Sequence, residues 1–438
     1  MAAGPDRPNI PDARPDVSAP VGARDRIQSI DVLRGFALLG ILIPNIISFA
    51  MPVGAMTDPQ VMTQTVGILS EQVGTRIAPH TTWNQLGYDI TAVGFTGKFM
   101  FQFAMLFGAG VIMYDRKFAA TSKLSKGFAL WARRNAWLLA IGLVHAFGFW
   151  FGDILVWYAS VGLIALWWLR RLSPTTMLLV AGASYLVGVT LMTGFSLFGL
   201  WAVSRGDIPA SDLNGGEPIV QITAFTGTYL DAFLNRATTL VFFYIVFPFT
   251  FFWSVLGLML TGAALTKTGV LTGQRSVTFY AWMSALGLGI GLPLTLGVFV
   301  GLRATGMDHP GFLWQSIAQL VGIPQALGYT GLVLLVHKLG WLKPLTTALA
   351  AVGRMALTNY LSHTLICTTI FYGYALGYFG QVQYPELFAL AGLIWLFNIA
   401  LSLIWLRSFR FGPAEWLWRS LTYWKLQPLR RPPAPAQP

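Results

Sequence analysis

Apolar runs long enough to cross a lipid bilayer recur along almost the whole chain. An α-helix rises about 1.5 Å per residue, so about 20 apolar residues cross the hydrocarbon core. We identify ten such runs, at residues 30–51, 92–113, 135–150, 153–170, 175–202, 237–266, 276–302, 314–337, 345–372 and 385–406. Hydrophobic residues make up 55% of the sequence and charged residues only 11%, which excludes an ordinary soluble domain. The sequence therefore predicts an all-α polytopic membrane protein with about ten transmembrane helices.

The charges between these runs predict the orientation of the chain. Cytoplasmic loops of membrane proteins carry an excess of Lys and Arg. Here the loops after the second, fourth, sixth and eighth runs are basic, and the loops between them are poor in Lys and Arg or contain acidic residues as well. Both termini are therefore predicted to be cytoplasmic. This distribution also accounts for the formal net charge of +12, so we expect no nucleic-acid partner.

The two ends of the chain differ from the middle. Residues 1–25 are rich in Pro, Asp, Ala and Arg without apolar periodicity, which indicates a disordered cytoplasmic tail. Residues 26–407 form the predicted transmembrane domain. Residues 408–438 alternate aromatic with basic side chains, as expected of an interfacial amphipathic segment and tail on the anionic cytoplasmic face of the bilayer. The alternative for this last segment is a clamp for an anionic cofactor.

The sequence patterns of metal and nucleotide sites are missing. The single cysteine, Cys367, lies in an apolar run, so neither a disulfide framework nor a thiolate metal site is expected. No group of His, Asp and Glu has the spacing of metal ligands, and there is no Walker or Rossmann motif. We therefore expect no metal.

The first apolar run carries three polar side chains that lipid disfavours. Asp31, Arg34 and Asn45 stand at positions i, i+3 and i+14. At about 100° per residue, Arg34 and Asn45 differ by about 20° around the helix and by about 16 Å along it. The three residues share one face, and we predict a polar seam that faces other helices or a cavity. The alternative is that the ion pair anchors the helix at the interface and Asn45 only packs.

The third and fourth runs hold a candidate general base. His145 lies about one and a half helical turns before the turn that joins these runs on the outer side, and Asp153 lies within that turn. A neutral imidazole takes up a proton near physiological pH, and a carboxylate beside it fixes its orientation. The alternative is structural: His145 bonds a carbonyl in a packed hairpin, and Asp153 caps the next helix.

Four further polar residues are candidates for a ligand site. Lys98 lies near the outer end of the second run, where its ammonium either reaches the interface or faces an outer cavity. Arg354 lies well inside the ninth run and needs an anionic partner, either Asp31 or a ligand phosphate. Asn359 follows on the same run. His80 lies in a polar outer loop and is exposed by default.

Five motifs resemble a known family. They are DVLRGFALLGILIPNI, KFMFQFAMLFGAG, GLVHAFGFWFGDIL, GRMALTNYLSHTLI and FRFGPAEWLWRSLTY. The sequence resembles the YeiB-like family of bacterial inner-membrane proteins, also called domain of unknown function 418, from residue 26 to about residue 425. The resemblance implies a multi-pass protein of the bacterial inner (plasma) membrane. One departure is His363, where the family tends to have Gln.

Two groups of transmembrane acyltransferases are similar in part. In the acyltransferase-3 group an Arg is followed eleven positions later by a His, and here Arg34 is followed at that distance by Asn45. In the heparan-α-glucosaminide N-acetyltransferase group the matching residue is also Asn, and a His-x-x-Trp-Asn stretch with the catalytic His follows. The stretch from His80 to Asn84 is similar. This resemblance implies an acyltransferase-like helical bundle that takes acyl-CoA from the cytoplasm and acylates a hydroxyl or amine on the far side.

The acyltransferase hypothesis gives the polar residues roles. The candidate cofactor-binding residues, which would hold the phosphate or pantetheine part of the donor, are Arg34, Asp31, Arg354, Lys98 and Asn359. The candidate catalytic residues, which would take the acceptor's proton or stabilise the oxyanion, are His145, Asp153, Asn45 and His80. The expected donor is acyl-CoA, with acetyl-CoA first. The acceptor is a glycan, a lipid or a small molecule. The other expected partners are the lipid bilayer and, as one alternative, a second copy of the chain in a homodimer.

Two other classes of function stay open at this point. In a transporter or permease of a small metabolite or lipid, the polar seam would line a conduit, and prolines would supply helix breaks. The prolines within the runs are Pro44, Pro248, Pro293 and Pro324. The sequence shows no internal repeat, which weakens this alternative. In a non-catalytic membrane protein the polar residues would only join helices.

Overall fold

The computed structural model describes residues 27–73, 78–119, 124–209, 211–212, 215–304 and 312–431. Within these ranges the chain forms helices joined by short turns, and its β-structure is limited to one bridge between Phe409 and Arg430. The α-helices are α1 (Gln28–Ala50), α2 (Pro59–Val73), α3 (Thr81–Gly94), α4 (Lys98–Ala119), α5 (Leu124–Gly148), α6 (Leu155–Val161), α7 (Trp167–Leu169), α8 (Pro174–Arg205), α9 (Pro218–Thr226), α10 (Tyr229–Lys267), α11 (Val277–Ala304), α12 (Phe312–Leu339), α13 (Lys343–Arg354), α14 (Ala356–Phe371), α15 (Tyr384–Ser408) and α16 (Pro413–Tyr423). One π-helical turn, Gly162–Leu166, joins α6 to α7.

Seven helical segments of the described chain are long and apolar enough to cross a membrane. They are Gln28–Ala50, Thr81–Arg116, Pro174–Arg205, Pro248–Lys267, Val277–Ala304, Ser316–Leu339 and Tyr384–Ser408. Each overlaps one predicted span, so the prediction of an all-α polytopic membrane protein is confirmed.

The other three predicted spans are helical but differ from a plain apolar span. The third lies in α5, whose apolar stretch is interrupted by Arg133 and Arg134. The fourth is the shorter helical segment Leu155–Leu169. The ninth is divided at Met355 into α13 and α14. Length and composition therefore identify seven spans among the described residues, and the count of ten stays a prediction from the shorter apolar runs and the charges between them.

Helix α1 lies at the centre of the bundle. Of its membrane-length window 72% is buried, against 22% for α11 and 28% for α15, so α1 is an inner helix and the other two are peripheral. Helix α1 contacts α4, α12, α13, α14 and α15. Ser29 and Ser48 on this helix are buried, and Asp31, Arg34 and Asn45 are partly buried, which is where polar side chains of membrane helices are expected.

The half of α1 that is predicted to face the cytoplasm is held against α13 through glycines. A Cβ atom added at Gly35 would collide with the carbonyl of Leu349, and one added at Gly353 would collide with the carbonyl of Asp31. Small residues allow helix backbones to approach closely in membranes. The position of the α13–α14 division beside Asp31 is therefore set by backbone packing.

The prolines do not divide the helices that contain them. Pro44, Pro248, Pro293 and Pro324 lie inside α1, α10, α11 and α12, and each helix continues through its proline. Membrane helices tolerate proline because neighbouring groups satisfy the freed carbonyls. The helix breaks that the transport hypothesis expected at these prolines are absent from the described chain.

The outer segment 53–91, predicted as a loop, contains α2 and α3. Val61, Met62, Val66 and Leu69 of α2 are buried against the core, while the opposite face is polar. Such a helix is amphipathic, so an average over its whole length does not reveal it as an apolar run.

Helix α16 packs beside α5 and α14. The indole Nε1 of Trp418 donates to the carbonyl of Arg134 at 2.8 Å, and the Arg134 guanidinium lies 3.6 Å from the centre of the Trp418 ring. Leu417 and Trp424 stay exposed, as an interfacial segment requires, and its position on the bilayer stays a prediction. The predicted tail 1–25 lies outside the described residues, as do 432–438.

Candidate functional site

A cavity of about 280 Å³ lies in the half of the bundle that is predicted to face outward; we call it the outer cavity. Its wall comes from the second half of α1, the α3–α4 and α5–α6 turns, and parts of α8, α10 and α12. Most lining side chains are aromatic or aliphatic, and among the polar ones are Asn45, Asp153, Tyr244 and Gln319. Ligand sites commonly combine an apolar wall with a few polar groups. The outer cavity is therefore the candidate ligand site.

Several polar atoms of this wall are not used by the protein itself. The indole Nε1 of Trp150, the hydroxyl of Tyr244 and Oε1 of Gln319 are buried without a hydrogen-bond partner in the described structure. Buried polar groups are normally hydrogen-bonded. Three lining residues thus carry unused hydrogen-bonding capacity, which a polar ligand would satisfy after small side-chain rotations.

Directly behind this wall lies a chain of three hydrogen-bonded side chains. His145 Nδ1 is 2.6 Å from Asp153 Oδ2, and His145 Nε2 is 2.8 Å from Thr364 Oγ1 on α14. His145 and Thr364 are buried, and the carboxylate of Asp153 is fully covered although the residue lines the outer cavity. With Asp153 accepting from Nδ1–H, Nε2 accepts the hydroxyl proton of Thr364. A carboxylate, an imidazole and a hydroxyl in this order form the arrangement of general-base catalysis.

The α5–α6 turn is held in place by its own side chains. Asp153 Oδ1 accepts from the backbone N–H of Val156 at 2.8 Å, so one carboxylate both caps α6 and orients His145. Trp150 stacks on Phe49 of α1, with 4.1 Å between ring centres. A Cβ atom at Gly152 would collide with the Trp150 indole. The turn therefore fits closely against α1.

Helix α14 supplies the other side of the site. The ring of Tyr360 lies 5.1 Å from the His145 imidazole, and its hydroxyl accepts from the backbone N–H of Ile154 at 3.4 Å. Tyr360 and Thr364 are four residues apart and share a helix face. Neither residue is predicted from the sequence as part of a site. Their i, i+4 spacing beside Asn359 was the available signal, and it does not name their partner.

The ion pair predicted in the first span is present at the other end of α1. Arg34 donates to Asp31 Oδ1 at 3.0 Å and to the carbonyl of Gly353 at 3.3 Å, where α13 ends. Arg354 follows at this point and is half-buried. Asn45 lies about 16 Å further along α1, on the wall of the outer cavity. The charged residues and the amide thus lie at two separate ends of the predicted seam.

Lys98 is fully buried and donates to the carbonyl of Ala92 at 3.0 Å. The next two carbonyls of α3 accept from Gln325 and Tyr329. Lys98 thus caps the C-terminus of α3, since the last carbonyls of a helix lack intrahelical donors. The expectation that it reaches the interface or faces the cavity is wrong, because α3 was not predicted as a helix.

Asn359 is also fully buried and joins three helices. Its amide donates to the carbonyl of Val352 at 3.2 Å and to Ser402 Oγ at 2.9 Å. In this structure it bridges the division between α13 and α14 and connects it to α15.

His80 lies elsewhere on the outer surface. It precedes α3, is exposed, and its Nε2 lies 3.5 Å from Glu386 on α15. Asn84 donates to Gln383 at 2.8 Å and accepts from the backbone N–H of Tyr384 at 3.3 Å, which docks the stretch from His80 to Asn84 on the start of α15. Within the described residues, the polar contacts of His80 and of His145 share no residue.

Comparisons with known proteins agree with the motifs. The family model "Protein of unknown function (DUF418)" matches residues 265–425. The chain is 34% identical over 403 residues to "Uncharacterized protein YeiB" of Escherichia coli (strain K12), which covers 91% of this chain and 96% of that protein. It is 30% identical over 431 residues to "Uncharacterized protein YxaH" of Bacillus subtilis (strain 168), and this match covers 94% of this chain and 98% of that protein. No solved structure matches the chain.

The matched region contains the elements that surround the Asp153–His145–Thr364 chain from the α14 side. Residues 265–425 run from the end of α10 through α13, α14 and α16. The similarity to YeiB and YxaH extends over nearly the whole of each chain and so includes α1 and the α5–α6 turn as well. The chain therefore belongs to the YeiB-like family, whose family model is described as protein of unknown function DUF418.

Proposed function

We propose that this protein is an acyltransferase of the bacterial inner membrane. It moves an acyl group, acetyl in the first instance, from cytoplasmic acyl-CoA to a hydroxyl or amine of an acceptor bound in the outer cavity. The observation that carries the proposal is the buried Asp153–His145–Thr364 chain directly behind the cavity wall.

The reaction uses His145 as the general base. Asp153 holds the imidazole so that Nε2 is the atom that takes up a proton. In the reaction the acceptor's hydroxyl or amine takes the place that the Thr364 hydroxyl has beside Nε2 in the resting structure. The acceptor oxygen or nitrogen bonds to the thioester carbonyl carbon, and the carbon–sulfur bond breaks. His145 passes the acceptor's proton to the departing sulfur, which gives free CoA and an ester or amide.

Access to His145 requires a movement of Trp150. The indole lines the outer cavity and lies 6.3 Å, between ring centres, from the His145 imidazole. Trp150 is thus a wall residue next to the base, and in the proposed reaction its indole moves to admit the acceptor. Asn45 on the same cavity wall donates a hydrogen bond to the oxygen of the thioester as negative charge develops there.

The donor enters from the cytoplasmic end of α1. Arg34 is 28% exposed despite its bond to Asp31, so its guanidinium is available to an anionic phosphate. Arg354 lies beside it at the end of α13. The thioester then has to extend about 16 Å along α1 to reach Asn45. At this end α1 and α13 are in close backbone contact at Gly35 and Gly353.

The test is release of free CoA by protein purified in detergent, with cell-envelope extract as the source of acceptor. His145→Gln and Asp153→Asn remove the base and its orienting group, and we expect each to lower the rate on the order of 10²- to 10⁴-fold. His80→Gln is the matched control, since His80 is also paired with a carboxylate but lies outside the cavity, and it should keep the rate of wild type. If His80→Gln lowers the rate equally, or if His145→Gln and Asp153→Asn leave the rate of CoA release unchanged, the assignment of His145 as the base is contradicted.

Transport is the second candidate, and one observation favours it. The division of a predicted span into α13 and α14 beside Arg34 resembles the discontinuous helices of transporter binding sites. In this case proteoliposomes would accumulate or release a solute without covalent change, and no acyl-CoA would be consumed.

A further inference from the structure

A second cavity, of about 240 Å³, lies between α4, α8, α10 and α12; we call it the apolar cavity. Its lining is aliphatic or aromatic apart from Tyr185 and Thr261. Both hydroxyls are already engaged, since Tyr185 donates to the carbonyl of Gln319 at 2.9 Å and Thr261 to that of Gly257 at 2.9 Å. A polar ligand would lose its hydrogen bonds with water here without replacement, so the cavity suits a hydrocarbon.

The apolar cavity continues the outer cavity toward the middle of the membrane. On α4 the lining of the outer cavity ends at Met100 and that of the apolar cavity begins at Phe101. On α12 the change falls between Gln319 and Leu320. On α8 and α10 the lining residues follow the same order, with those of the apolar cavity nearer the predicted cytoplasmic ends. The two cavities are therefore stacked along the bundle, with most of the polar lining groups in the outer one and the apolar cavity beneath it.

The apolar cavity also borders the lipid-facing surface. Leu186 and Leu320 on its rim are 57% and 40% exposed. Gly182, one helical turn before Leu186 on α8, also lines the cavity and is exposed, and a Cβ atom added there would meet nothing within 4 Å. The lining of the apolar cavity thus reaches the lipid-facing surface, from which an aliphatic chain can enter sideways.

We propose that the apolar cavity binds an aliphatic chain of the acceptor, and that the acceptor is an amphiphile of the outer leaflet. Its hydroxyl- or amine-bearing head occupies the outer cavity, and its chain points toward the middle of the membrane. This is the orientation in which such a lipid already lies in the bilayer, so binding needs only sideways movement. That the bound aliphatic chain belongs to the acceptor rests on the proposed function. That the apolar cavity binds an aliphatic chain does not.

The test uses the full chain in nanodiscs of phosphatidylethanolamine and phosphatidylglycerol that contain a phospholipid with a photoactivatable acyl chain. Labelled peptides are mapped by mass spectrometry for wild type, Gly182→Phe and Gly194→Phe. The first substitution places an aromatic side chain at the lipid-facing edge of the apolar cavity. The second is the matched control, because Gly194 is also exposed on α8 with nothing within 4 Å of a Cβ atom but lines neither cavity.

We expect wild type and Gly194→Phe to be labelled at the α4 and α8 residues of the apolar cavity. In Gly182→Phe this labelling should decrease about tenfold, because losing the burial of only two methylene groups lowers the affinity by about that factor. Even labelling of all lipid-facing helices, unchanged in Gly182→Phe, would overturn the inference. So would labelling of the cavity by a photoactivatable long-chain acyl-CoA but not by the phospholipid, because the chain would then belong to the donor.

A parallel measurement separates the site from the reaction. With phospholipid as the sole acceptor, Gly182→Phe should lose CoA release and Gly194→Phe should keep it. Cavity labelling without CoA release from any variant, either with phospholipid or with cell-envelope extract as acceptor, would support the chain site and overturn the proposed acyl transfer. Release that persists in Gly182→Phe would overturn the role of the cavity in binding the acceptor.

Discussion

Glu415 of α16 caps the helix that carries Tyr360 and Thr364, and its removal is predicted to destabilise the protein. The residue before α14, Met355, offers no side-chain cap. Glu415 Oε1 instead accepts from the backbone N–H groups of Leu357 at 2.6 Å and Thr358 at 3.2 Å, and Oε2 accepts from Thr358 Oγ1 at 2.6 Å. The first N–H groups of a helix have no intrahelical acceptor, so this carboxylate from another helix replaces the usual N-cap.

The cost of losing this cap follows from the groups that it leaves behind. Glu415→Ala removes the acceptor of two N–H groups and one hydroxyl, and Glu415 and Leu357 are both buried. Loss of an N-cap costs about 0.5–2 kcal/mol, and a buried donor left without an acceptor costs about 1–3 kcal/mol, two costs that overlap in part. We therefore expect a loss of about 2–4 kcal/mol. Glu415→Gln keeps one acceptor oxygen and should lose about 1 kcal/mol.

The assay is the free energy of unfolding, measured by titrating purified protein with sodium dodecyl sulfate in mixed micelles. Glu71→Ala, which removes an exposed carboxylate on α2, is the control and should stay within about 0.5 kcal/mol of wild type. A Glu415→Ala protein that unfolds within the same margin would refute the cap. Retained stability with lost activity would instead assign Glu415 a direct role in the site.

Three further predictions test other contacts. Burial raises the pKa of Glu415 by more than its hydrogen bonds lower it, so the folded protein binds this proton more tightly than the unfolded chain does. The free energy of unfolding should therefore decrease as the pH rises from 4.5, the ordinary pKa of a Glu side chain. Glu415→Gln has no proton to lose, so this pH dependence should disappear in that variant. Gly35→Leu should destabilise by about 3 kcal/mol because its Cβ meets the carbonyl of Leu349. Its control, Gly110→Leu, should be neutral since nothing lies within 4 Å of a Cβ atom there. Thr364→Val should lower CoA release less than tenfold if the acceptor is acylated directly, about the factor expected from one hydrogen bond; complete loss in this variant, with rescue by Thr364→Ser, would indicate an acyl-enzyme on Thr364.

The features of the site that depend on local spacing could be predicted from the sequence. Helical periodicity places Asp31 and Arg34 within hydrogen-bonding reach, and they lie 3.0 Å apart. His145 and Asp153 are eight residues apart, at the end of α5 and in the α5–α6 turn, so this short connection brings them into contact. The apolar runs and the charges between them also predict the spans locally, because each segment must by itself be apolar enough to lie in the bilayer.

The features that depend on packing could not be predicted in this way. Thr364 is 219 residues from His145, and only the packing of α14 against the α5–α6 turn brings them together. The cap on α14 comes from Glu415, which is 57 residues from Thr358 in the sequence and lies in a segment predicted to be on the membrane surface. Lys98 was misplaced because its partner is a carbonyl of α3, whose helix has no span-length apolar signal of its own. In each case the missing information is which helix lies beside which.

The most direct test of the central claim is transfer of an isotope-labelled acetyl group in proteoliposomes. Labelled acetyl-CoA is supplied on the side of the basic loops and envelope-derived acceptor on the other, and label bound covalently to the acceptor is measured for wild type and His145→Gln at equal protein abundance. The acyltransferase account predicts labelled acceptor with wild type and a loss on the order of 10²- to 10⁴-fold with His145→Gln. Folded wild-type protein that neither binds acyl-CoA nor labels the acceptor would contradict it.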